Sequence, residues 1–69
     1  MRLRELRLQL GLTQEQLAKC IGIKQATISM WESGGAMPTV KHIRKLAKVL
    51  NCTMDELLGP QEYFSTIGG

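Results

Sequence analysis

The chain has 69 residues, 43% of them hydrophobic and 22% charged, with a formal net charge of +3. This is enough for one domain around one small core, and the mild basic excess permits a nucleic-acid or acidic partner without demanding one. No stretch is long enough to cross a membrane, and the charge-alternating start "MRLRELRLQL" does not resemble a signal peptide.

Leu3, Leu6 and Leu10 follow the i, i+3, i+7 rhythm of an amphipathic helix, with Arg2, Arg4, Glu5 and Arg7 on its other positions. A first helix is expected over residues 2–10, stopped by a left-handed Gly11. Thr13 with Gln16 forms a capping box that opens a second helix, whose buried side is Leu17, Ala18 and Ile21 and whose stop is Gly22. A third helix spans residues 24–33, with Ile28 and Trp31 on its inner face, and breaks at Ser33-Gly34-Gly35. Pro38 delays the next start until Thr39 can cap a fourth helix. Its apolar stripe is Val40, Ile43, Leu46, Ala47 and Leu50, its wet side Lys41, Arg44, Lys45 and Lys48, and its exit a left-handed Asn51. Thr53 with Glu56 is a second capping box, opening a short fifth helix with Met54, Leu57 and Leu58 that closes at Gly59-Pro60. The expected fold class is all-α: a compact bundle of five short helices over residues 1–59, with residues 60–69 as a tail or linker.

The second and third helices are joined by about three residues around Gly22. So short a link forces a steep crossing with the backbones close together. That geometry requires a small residue at the contact, which Ala18 supplies, and a positive φ in the turn, which suits Gly22. Burying Ile28 and Trp31 turns Gln25, Ala26, Ser29, Met30 and Ser33 outward. An ordinary solvated face would be richer in Glu and Lys. An amide can pair bidentately with adenine, and an alanine methyl can touch a thymine methyl, so this face has the chemistry of a base reader.

The stretches "LRLQLGLTQEQLAKCIGIKQATISMWESG" and "PTVKHIRKLAKVLNCTMDELLG" resemble the helix-turn-helix domains of phage repressors, Cro proteins and related bacterial regulators, over about residues 3–59. The resemblance implies a five-helix, lambda-repressor-like fold that binds operator DNA as a two-fold dimer. It implies base reading by Gln25, Ala26, Ser29 and Met30. It implies phosphate contacts from Arg7, Thr13, Gln14, Lys24 and Thr27, and from the start of the fourth helix at Thr39, Val40 and Lys41. Gln14 would also brace the first recognition residue, and Arg7 with Glu32 would form an ion pair between the first and third helices. Two departures stand out. The loop "GGAM" carries none of the cations common there in relatives, and Lys24 replaces the usual hydroxyl cap of the third helix. Both point to modest affinity per monomer, with dimerisation needed for useful binding.

The expected partner is therefore double-stranded DNA with two half-sites. No cofactor, metal or small-molecule ligand is indicated, and the expected setting is a bacterial or phage-infected cytoplasm. Cys20 and Cys52 lack zinc-site spacing and are expected as free thiols, Cys20 exposed and Cys52 buried. Trp31 is expected in the core and His42 on the surface. Tyr63, Phe64 and Ile67 are apolar residues in a polar tail that could pack on the fifth helix, join a dimer interface or lead into a further domain. No nucleophile, acid–base pair or glycine-rich phosphate cradle suggests an enzyme. The rival reading is a protein-interaction module on the same fold, favoured mildly by the uncharged loop.

Overall fold

A computed structural model describes residues 1–59 as five helices: α1 (Leu3–Gln9), α2 (Gln14–Ile21), α3 (Gln25–Ser33), α4 (Val40–Val49) and α5 (Met54–Leu58). Among the described residues there is no strand, and each helix lies within a residue or so of its expected bounds. The tail residues Tyr63, Phe64 and Ile67 lie outside the described residues.

Helix starts and stops follow local chemistry. At Thr13, Oγ1 accepts from Gln16 N at 3.0 Å and Gln16 Oε1 accepts from Thr13 N at 2.9 Å, closing the capping box. Thr53 and Glu56 repeat it at 3.0 and 3.1 Å. Four helices end in one arrangement, in which two successive amides beyond the helix bond back to carbonyls in its last turn. At the end of α2, Gly22 N donates to Lys19 O and Ile23 N to Ala18 O. Matching pairs close α1 at Gly11 and Leu12, α3 at Gly34 and Gly35, and α4 at Asn51 and Cys52. The motif needs a left-handed residue at its first position. Gly22 takes φ 74°, and Asn51 takes φ 55° as the one non-glycine residue among those described with positive φ.

Nothing lies within 4 Å of a methyl built on Gly22, so Gly22→Ala introduces no clash. Its cost is backbone strain alone, about 1–2 kcal/mol. A thermal melt should show that loss with DNA specificity intact; a neutral substitution would mean that the turn relaxes away from its left-handed geometry.

One core joins all five helices: Leu3, Leu6, Leu17, Ala18, Ile21, Ile28, Trp31, Ile43, Leu46, Ala47, Leu50 and Leu57. The N-terminus is tied to α5, since Arg2 N donates to Leu57 O at 2.7 Å. Four sequence expectations change. Leu10 is 49% exposed, because it sits at the end of α1 with φ −90° and ψ 0° and leaves the helical stripe. Val40 is 61% exposed; it is the first residue of α4, and the stripe is covered only from Ile43 onward. Cys52 is half-buried. His42 is also half-buried, its ring 5.3 Å from that of Trp31 and its Nδ1 3.1 Å from Thr39 Oγ1.

Candidate nucleic-acid interface

Packing of α2 against α3 buries Leu17, Ala18 and Ile21 against Ile28 and Trp31. The outer face of α3 is thereby presented to solvent, with Gln25, Ala26, Ser29 and Met30 all exposed. Lys24, just before the helix, is exposed, while Thr27 is half-buried on its flank. Lys24 makes no side-chain cap, and α3 has no acidic residue in its first turn. The amide-rich, positive end of the helix dipole is thus left without a carboxylate at the place where base reading is expected.

Beneath this face runs a row of polar side chains from α1 to α3. Arg7 Nε donates to Glu32 Oε2 at 2.7 Å and Nη2 donates to Oε1 at 3.0 Å, a bidentate pair. The two side chains are 8% and 5% exposed. The third arm of Arg7, Nη1, donates to Leu12 O at 2.7 Å and so clamps the turn between α1 and α2. Glu32 Oε1 also accepts from Gln14 Nε2 at 3.1 Å, and Gln14 Oε1 accepts from Gln25 Nε2 at 3.5 Å. The last contact is long, leaving Gln25 free to turn toward a ligand. The ion pair implied by the resemblance is present, and Arg7, four residues after Leu3, lies on the buried face of α1 although its charge set it outside the leucine rhythm. The Leu12 carbonyl was not foreseen; a backbone acceptor leaves no trace in residue type.

Burial pushes the Glu32 carboxyl up, but hydrogen bonds from Arg7 and Gln14 and the charges of Arg7 and Arg4 outweigh it, holding the carboxyl below its ordinary value. The Arg7 guanidinium is correspondingly raised, chiefly by its hydrogen bond to Glu32. Glu32 is therefore a carboxylate at neutral pH, able only to accept.

The other expected contacts lie at helix starts. Thr13 is exposed at the start of α2, with Gln14 half-buried behind it. Thr39, Val40 and Lys41 are exposed at the start of α4, whose first turn also lacks an acid. Thr39 Oγ1 accepts from His42 N at 3.4 Å, a loose cap. Between α3 and α4, Gly35 N and Ala36 N both donate to Met30 O, folding the uncharged loop back under the end of α3. Ser33 Oγ donates to the same carbonyl at 3.1 Å, so the outer face loses that hydroxyl as a free group.

Among the described residues no three of His, Cys, Asp and Glu gather as a metal site, and no helix is long and apolar enough to cross a membrane. Two helices held at a tight glycine turn, with the second presenting an uncharged polar face, define a helix-turn-helix DNA-binding domain of the kind used by transcription regulators. The family model described as helix-turn-helix matches residues 3–57, and the chain belongs to that family.

Its relatives agree. It is 39% identical over 61 residues to the HTH-type transcriptional activator BcrR of Enterococcus faecalis, covering 88% of this chain and 30% of that protein. It is 39% identical over 56 residues to an HTH-type transcriptional regulator of Archaeoglobus fulgidus, covering 81% of this chain and 80% of that one. It is 35% identical over 57 residues to repressor protein C2 of Salmonella phage P22, covering 83% of this chain and 26% of that protein. The chain thus spans less than a third of BcrR and C2 and most of the archaeal regulator. No solved structure matches the chain significantly.

Proposed function

We propose that residues 1–59 form a sequence-specific reader of double-stranded DNA, acting as a repressor-type regulator in a bacterial or phage-infected cytoplasm. Helix α3 lies in the major groove, and two copies read half-sites about one helical turn apart. The observation that carries this reading is the outer face of α3: four exposed, uncharged side chains on a helix whose inner face is fully committed to the core. Gln25, Ala26, Ser29 and Met30 meet base edges. Lys24, Thr27, Thr13, Gln14, Thr39, Val40 and Lys41 lie against phosphates, the last three through the start of α4. Arg7, 7% exposed and neutralised by its bidentate pairing with Glu32, stands behind this surface as a positioning residue and offers no free arm to a phosphate. The repressor and activator names of the relatives support a regulatory role.

Selection from a random DNA library tests the reading by reporting binding, half-site and spacing together. Gln25→Ala should flatten the preference at one base pair of each half-site by about tenfold. It should leave affinity for mixed DNA nearly unchanged, because that affinity rests on phosphates. A uniform loss across all sequences would move Gln25 off the base edges. Absence of salt-sensitive binding to any DNA would instead favour the protein-interaction module.

A further inference from the structure

We propose that Met30 is an oxidation-sensitive base reader: a peroxide converts its thioether to the sulfoxide and thereby removes a preference for thymine at the base pair that Met30 meets. The inference rests on the reading of α3 as the base-reading helix.

Met30 is the one large apolar side chain on the outer face of α3, and it is 50% exposed. Its backbone leaves it no room to withdraw. The Met30 carbonyl accepts from Gly35 N at 2.9 Å, from Ala36 N at 3.4 Å and from Ser33 Oγ at 3.1 Å. The next residue, Trp31, is fixed in the core. The sulfur therefore stays at the interface whatever its oxidation state.

Four methionines and two cysteines compete for an oxidant. Met1 and Met54 are half-buried against the core. Cys52 is also half-buried, and burial raises its thiol, which holds back the thiolate that an oxidant attacks. The sulfurs open to solvent are Cys20, Met30 and Met37, and of these only Met30 lies on α3. Cys20 stands near the end of α2 beside Lys45 and Lys48, and Met37 stands in the loop before Pro38.

The step is a two-electron oxidation with hydrogen peroxide as co-reactant. A sulfur lone pair attacks one peroxide oxygen, and the S–O bond forms as the O–O bond breaks. The departing hydroxide takes the proton of the transferred hydroxyl and leaves as water. Sulfur is oxidised and the peroxide is reduced.

The consequence falls on base choice. The C5-methyl of thymine is an apolar group on the major-groove edge, and a thioether meets it without stranding a polar atom. The sulfoxide oxygen is a polar acceptor. Pressed against a methyl group, it loses its water and gains no donor. Adenine N6 and cytosine N4 do offer donors in the groove, so oxidation turns the position away from thymine. In the free protein the same oxygen is solvated, and folding is untouched.

The test uses the full chain carrying Cys20→Ser and Met37→Leu, so that Met30 is the remaining exposed sulfur among the described residues. Library selection is run before and after hydrogen peroxide, the position in question being the one that Met30→Ala flattens. Peptide mass spectrometry should place one oxygen on Met30 and none on Met54, and the melting temperature should not move. Thymine preference at that position should fall about tenfold, the cost of an unpaired acceptor. Affinity for mixed DNA should barely change, because phosphates carry it. Methionine sulfoxide reductase should restore the preference. Adding Met30→Leu should give one selection result, the same before and after peroxide. If the reduced protein shows no base preference at all, the base-reading role of α3 falls and the switch falls with it. If other positions are read but this one does not prefer thymine, if the preference survives full oxidation of Met30, or if the Met30→Leu protein responds to peroxide as strongly, the switch alone is overturned.

Discussion

Replacing Arg7 with methionine is expected to lower the unfolding free energy by about 3 kcal/mol at neutral pH, because it strands a buried carboxylate. Glu32 would keep its 5% exposure and lose both arms of its cation, and the Leu12 carbonyl would lose its donor. A domain of this size has only about 3–9 kcal/mol to lose. The double variant Arg7→Met, Glu32→Leu should recover most of the loss, since apolar side chains of similar volume can replace a buried pair at little cost. Urea unfolding of these three proteins and of the single variant Glu32→Leu completes the cycle.

The same substitution should change the response to acid. In the unaltered protein, folding lowers the Glu32 pKa from its ordinary 4.5. The folded state then binds fewer protons than the unfolded one. The stabilisation is fully present above about pH 4.5 and fades as pH falls through the lower folded value. In Arg7→Met, burial remains and the main opposing cation is gone, with only the Gln14 hydrogen bond and the Arg4 charge left, so the folded carboxyl should titrate higher than in the unaltered protein. Acid then neutralises a stranded charge and narrows the gap to the unaltered protein. The deficit measured at pH 7 should therefore shrink markedly at pH 4. Glu5 and Glu56 are also held low, by Arg2 and by the Thr53 cap respectively, but they are common to both proteins and cancel in the difference. A deficit equal at the two pH values would show that Glu32 is not the group being stranded.

The second large effect is expected from Leu17→Ala. Leu17 is fully buried on the inner face of α2, where that helix meets α3 and α4. Truncation removes its burial and leaves a cavity, at a cost of about 3 kcal/mol or more. In so small a domain this should lower the melting temperature by roughly 20 °C. Because α2 sets the angle at which α3 projects, DNA binding should fall with the folded fraction. Saturating DNA should draw the helix signal back by mass action. A melting temperature unchanged by the substitution would mean that the interior tolerates the cavity by collapse.

Most of the scaffold was legible because its signals are local. A capping box needs only a hydroxyl and an amide or carboxyl three residues apart, and Thr13 and Thr53 both form one. A helix stop needs only a residue that tolerates positive φ, and Gly11, Gly22, Gly34 and Asn51 all take that conformation. The inner faces of α2 and α3 were equally plain. Less legible was how far each stripe is covered. Periodicity reports the face a residue shares and says nothing of whether a neighbouring helix reaches that far along it, which is why Leu10 and Val40 stand in solvent.

The candidate interface divides along the same line. Composition and spacing determined that α3 would bury Ile28 and Trp31 and present Gln25, Ala26, Ser29 and Met30, since a helix with two anchored residues has only one outer face. Only the tertiary structure decided what stands behind that face. Arg7, Gln14, Gln25 and Glu32 come from three helices, with up to 25 residues between bonded partners. Whether a charged side chain on α1 faces water or a carboxylate depends on how the helices cross. So does the amide orientation of a glutamine, because the two ends of an amide are alike in the chain and are told apart only by what the fold places beside them.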